Sequence, residues 1–115
     1  MCFSTDKPGP PGVPQFSEVT NSSVRLSWTA PVNDGGASIF NYVVESKPED
    51  GFKWSRVTED TITDTHYTVR KLAESSEFVF RVSAENKAGI GPSSQSQPVI
   101  IKEPLGENVY WPRLT

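Results

Sequence analysis

Apolar and polar side chains alternate with a period of two over several stretches of this chain. The clearest is Glu77–Asn86, where Phe78, Phe80, Val82 and Ala84 fall on one side and Val79, Arg81, Ser83 and Glu85 on the other. An extended strand sends successive side chains to opposite faces, so the first set can be buried while Arg81 and Glu85 remain in water. At helical spacing the same residues would form no stripe. Val24-Arg25-Leu26-Ser27-Trp28 alternates in the same way, and Tyr42 and Val44 share a face of Tyr42–Ser46. Shorter runs predict strands over Gln15–Val19, with Phe16 turned inward, over Phe52–Val57, which carries Trp54, and over Tyr67–Val69, with Leu72 plugging the core beyond it. Gln97–Lys102 is expected to be the last strand. Seven short strands, turn signals about every ten residues and no helical stretch predict an all-β, seven-stranded antiparallel sandwich of Greek-key type. Trp28, Tyr42, Leu72, Phe78, Phe80 and Val82 are its expected core.

Between the strands the punctuation is proline and glycine. Lys7-Pro8-Gly9-Pro10-Pro11-Gly12-Val13-Pro14 predicts an extended, polyproline-like lead-in, because proline removes amide donors and fixes φ. Its Pro-x-x-P spacings also fit ligands of SH3 domains, but a semi-rigid connection from a preceding module is the preferred reading. Asn33-Asp34-Gly35-Gly36 marks a broad loop, and Asn86-Lys87-Ala88-Gly89-Ile90-Gly91-Pro92 is expected to end the longest strand in a turn. The boundaries expected are a linker over 1–9, one domain over 10–103 and a linker or extension over 104–115. Val109, Tyr110, Trp111 and Leu114 make that last segment unusually apolar.

The chain has 115 residues, enough for one domain that can stand without disulfide or metal support. Cys2 is the single cysteine, which mildly favours a reducing compartment. Fourteen acidic and eleven basic side chains are interspersed, giving a net charge of −3 and no basic block for a nucleic-acid backbone. No apolar run is long enough to cross a bilayer as a helix. Neither nucleic acid nor membrane is an expected partner.

Taken together, Val24-x-Leu26-x-Trp28 with Pro31, Tyr42-x-Val44, Leu72 and Phe78-x-Phe80-Arg81-Val82-x-Ala84-x-Asn86-x-x-Gly89-x-Gly91-x-Ser93 resemble a fibronectin type III module. The resemblance covers about residues 10–103 and implies an immunoglobulin-like fold. The Lys7–Pro11 lead-in, the Asp34-Gly35-Gly36 loop, the Tyr42–Glu45 strand and the Ala84–Gly89 turn are similar to modules of titin, twitchin and myosin-binding protein C. Phe78 stands where the family usually has tyrosine, which loses a hydroxyl bond at that corner, and the Arg-Gly-Asp triplet of integrin-binding members is absent.

Catalytic chemistry lacks an inventory. His66 is the single histidine and the cysteine lies in a terminal stretch, so neither a zinc site nor a Cys/His nucleophile pair can be assembled. Glu59-Asp60 and Asp64 lack the alternating ligands of a calcium loop, and no glycine-rich stretch leads into a helix that could hold phosphate. No catalytic residue, metal or cofactor is expected. Asn21-Ser22-Ser23 is a formal glycosylation acceptor that reads first as a turn.

The expected role is a non-catalytic structural and interaction module in a tandem array: a spacer, scaffold or mechanical element. The resemblance implies a cytoplasmic, sarcomeric setting, with adjacent immunoglobulin-like or fibronectin type III modules as partners and thick-filament proteins such as myosin beyond them. The alternative is an extracellular module of an adhesion protein or receptor. In this topology the loops after the second and sixth strands meet the lead-in at one pole. The expected contact residues there are Pro10, Pro11, Asp34, Gly35, Gly36, Asn86, Lys87, Gly89 and Gly91.

Overall fold

The computed structural model describes residues 5–58 and 60–102. The extension over 104–115 and its four apolar residues lie outside them, as does Glu59. Eight strands follow in order: β1 (Gln15–Val19), β2 (Val24–Ser27), β3 (Asn41–Pro48), β4 (Ser55–Arg56), β5 (His66–Val69), β6 (Glu77–Asn86), β7 (Gly89–Gln95) and β8 (Val99–Ile100). All pairings are antiparallel. One sheet has the order β1-β2-β5; the other runs β4-β3-β6-β7, with β8 also paired to β6. The two sheets form the sandwich.

Alternation explains the core. Val24 and Leu26 of β2 meet Tyr42 and Val44 of β3 and Phe80, Val82 and Ala84 of β6 in one buried cluster, joined by Trp28, Val69 and Ile101. Trp28 and Tyr42 bridge the sheets edge to face, with ring centroids 5.5 Å apart. Phe16 meets Phe80 in the same manner at 6.4 Å. Phe16, Leu72 and Phe78 are partly buried against this cluster. Such aromatic pairs add about 0.5–1.5 kcal/mol beyond the area they bury.

Three local expectations are corrected. The turn that ends β6 is shorter than expected: Lys87 and Ala88 alone form the tip of a hairpin, and Gly89–Gln95 pairs back along β6. Its glycines, proline and serines have low strand propensity. As an outermost strand, however, β7 tolerates Pro92 beside a register shift, where one missing amide donor costs no ladder bond. The strand expected over Phe52–Val57 shrinks to two residues. Trp54 precedes it and lies over Arg81, whose guanidinium carbon is 4.3 Å from the ring centroid. Arg81 also binds Glu45 across the sheet at 2.7 Å, a partly buried pair worth a few tenths to about 1 kcal/mol. Finally, β6 has more than one dry face, since Val79 and Ser83 are buried as well. A strand with ladder neighbours on both sides is covered more completely than alternation alone foresees.

Burial also bears on the titration of Tyr42. Desolvation raises the Tyr42 phenol above its ordinary value near 10. The unfolded chain therefore loses this proton first as pH climbs. The stabilisation is complete below pH about 10 and is lost as pH rises toward the folded value. Denaturant midpoints of the wild type should fall through this window, and Tyr42→Phe should flatten that fall.

Candidate functional site: the N-terminal pole

The segment Thr5–Pro14 forms an extended strap that joins no sheet. Pro8, Pro11 and Pro14 are all buried, whereas Pro10 and Val13 are exposed. A three-residue period is that of polyproline II, so one ridge of the strap faces the protein. The prolines of both Pro-x-x-P spacings are thus occupied within the module, which removes the SH3-ligand reading of the folded state.

Amides at the same spacing fix the strap. Asp6 N donates to Gly35 O at 2.8 Å, Gly9 N to Asn33 O at 2.8 Å and Gly12 N to Thr29 O at 2.9 Å. These bonds run antiparallel to the chain leaving β2, so the strap points the same way as β1. Asp6 and Gly9 belong to the stretch expected to be linker; their bonding extends the ordered body upstream of position 10.

Asn86 organises the pole. It ends β6 at 1 % exposure, and its Nδ2 donates to Asp6 O at 2.7 Å and to Asp34 O at 2.8 Å. Its Oδ1 accepts from Ala88 N at 2.8 Å and shapes the hairpin tip. One side chain therefore ties strap, β2–β3 loop and β6–β7 hairpin together. In that loop Asn33 Oδ1 accepts from Gly35 N, and Asp34 Oδ1 from Gly36 N, each across two residues. Ser94 of β7 donates its hydroxyl to Pro11 O.

Two glycines are required by close approach. A Cβ on Gly91 would stand 1.9 Å from Pro8 O, and one on Gly35, at φ +77°, would stand 2.0 Å from Asp6 O. Both obstacles are backbone, so no rotamer change relieves them. The stem of Lys7 lies across Gly89.

The pole thus brings together Pro11, Asp34, Gly35, Asn86, Gly89 and Gly91. Pro10, Lys87 and Gly36 sit at its exposed rim. Lys7 and Pro8 of the expected lead-in also take part, as do Asp6 and Ser94, which the sequence pattern did not mark. The recurrence of proline at every third position was the available signal for the strap. Val32, fully exposed on the loop, is the other omission. Among the described residues no group of three or more His, Cys, Asp or Glu could hold a metal ion.

The profile of the fibronectin type III domain matches residues 9–100. The chain belongs to this family. It is 35% identical over 100 residues to titin of Drosophila melanogaster, covering 87% of this chain and 1% of titin. It is 32% identical over 106 residues to cardiac-type myosin-binding protein C of Mus musculus, covering 91% of this chain and 8% of that protein. The module thus spans less than a tenth of the curated relatives it matches. Among solved structures, titin domains A168–A170 superpose with a TM-score of 0.80 at 42% identity, over 85% of this chain and 33% of that one. These relatives are muscle proteins, and the family supports a structural and interaction role.

Proposed function

We propose that this module is a non-catalytic link in a tandem array of a titin-like sarcomeric protein, acting as spacer, scaffold and mechanical element in the cytoplasm. The supporting observation is the docked strap. It holds the incoming chain against two loops, so a preceding immunoglobulin-like or fibronectin type III module must approach along a restricted direction. Val32 presents a wholly exposed apolar side chain there, with Lys87 and Pro10 on the same rim. Exposed apolar groups beside a chain entrance suit contact with a neighbour. The bonded strap carries the body upstream to Asp6. Thick-filament proteins such as myosin are the wider partners consistent with these relatives.

The test is a two-module protein carrying the native upstream neighbour. Val32→Ser with Lys87→Ala should broaden the inter-module orientations seen by small-angle scattering or residual dipolar couplings. The melting temperature of this module should hardly move, since both side chains are in water. An unchanged orientation distribution would mean that the pole carries no inter-module contact.

A further inference from the structure

We propose that the free edge of β5 is a docking site for an extended acidic peptide, which joins the three-stranded sheet as a fourth strand. β5 is the last strand of its sheet. Trp28 N donates to Thr65 O at 2.9 Å at the position just before β5 begins. Bonding alternates residue by residue along an antiparallel ladder, so Tyr67 and Val69 face β2 while the N–H and C=O groups of His66 and Thr68 face outward. No hydrogen bond among the described residues takes up those outward groups.

The other edges are guarded. β1 carries a register shift, β7 carries Pro92 and lies against the strap through Ser94, and β4 has only two residues. Bulges, prolines and short strands are the usual protections against strand addition. β5 has neither bulge nor proline, and a groove of about 720 Å³ runs beside it, between the strand and the Asp60–Asp64 loop.

The groove specifies its occupant. In an added strand, the residues opposite His66 and Thr68 would continue the outer-face rows Gln15–Ser27–His66 and Glu18–Arg25–Thr68. Arg70 and Lys71 line the same groove downstream. Three permanent cations thus meet two carboxylates, Asp60 and Asp64, on a chain whose net charge is −3. The intervening residue, opposite Tyr67, would turn inward toward partly buried Val57 and Ile62. The matching sequence alternates acidic and β-branched side chains. Main-chain bonds supply the affinity and the alternation supplies the selectivity.

The probe is a capped peptide, Thr-Glu-Val-Glu-Val-Glu-Thr, titrated into ¹⁵N-labelled module. Saturable shifts centred on β5 are expected, with slowed exchange of the His66 and Thr68 amides. The analogue with lysine for glutamate should bind roughly tenfold more weakly. Thr68→Pro removes an outward donor without touching the β2 ladder and should lower affinity by roughly tenfold or more. Arg25→Glu should invert the preference between the two peptides. If Thr68→Pro lowers the melting temperature, Arg25→Glu decides alone: inversion supports the site and an unchanged preference overturns it. Absence of saturable binding, or shifts centred on another part of the module, also overturns it.

Discussion

Trp28→Ala should remove about 3–5 kcal/mol of stability, the largest loss expected of a single core substitution in this module. The indole is 5 % exposed and bridges the two sheets through Tyr42. Its removal leaves a void at the seam, where the backbone is held by β-ladders and can collapse only in part. Its Nε1 is buried with no hydrogen-bond partner among the described residues, so the indole contributes through its ring faces and its volume. Trp28→Phe should therefore cost much less than Trp28→Ala. Urea unfolding checks both: the midpoint should shift while the slope stays constant. A domain of this size is ordinarily stable by about 5–15 kcal/mol, so the alanine variant would stand near the margin.

The second large effect is expected at Asn86. Asn86→Ala removes the donors to Asp6 O and Asp34 O and the acceptor for Ala88 N. Buried groups left unpaired cost about 1–3 kcal/mol each, and these part-buried groups fall toward the lower end. Because the strap can lift into water and satisfy part of the loss, roughly 2–4 kcal/mol in total is expected. The exchange of the Asp6, Gly9 and Gly12 amides should accelerate more than that of core amides in β3 and β6, since a local opening uncovers only the strap. Gly91→Ala serves as the companion, because its methyl group would displace Pro8 O. It should free the same three amides while leaving the Asn86 side chain in place. If they stay protected in both variants, the strap is held by something other than this pole.

Much of this architecture was legible in the sequence because one physical signal dominates it. In β2, β3 and β6 the buried faces are marked by Val, Leu, Tyr and Phe at alternate positions, and alternation has a single backbone solution. The signal failed where strand formation depends on a neighbour. Gly89–Gln95 has almost no pattern of its own and becomes β7 because the Asn86 hairpin returns it along β6. Val79 and Ser83 lie at positions that alternation assigns to water, and burial reaches them from the tertiary surroundings. The N-terminal pole was legible as a meeting of loops, through its glycines and prolines. Its organising contact was not, since nothing local to Asn86 announces that its amide will reach Asp6, 80 residues away. The strap was legible as an extended, polyproline-like lead-in through its prolines, but the bonds that hold it were not, since it has the period of neither helix nor sheet.

For the mechanical role proposed above, the direction of that strap would set how the module answers tension. It runs on into β1 without doubling back, so a pull on the upstream chain acts along the strap and across its hydrogen bonds. The three amide bonds and the Asn86 clasp are then sheared together rather than unzipped in turn. Polyproline II already rises about 3.1 Å per residue, close to a fully drawn chain. Even a detached strap would therefore pay out little length, and in the proposed array the joint would be a stiff coupling with almost no slack. In the array proposed above, extension would then come from realigning one module against the next, or from breaking a sandwich.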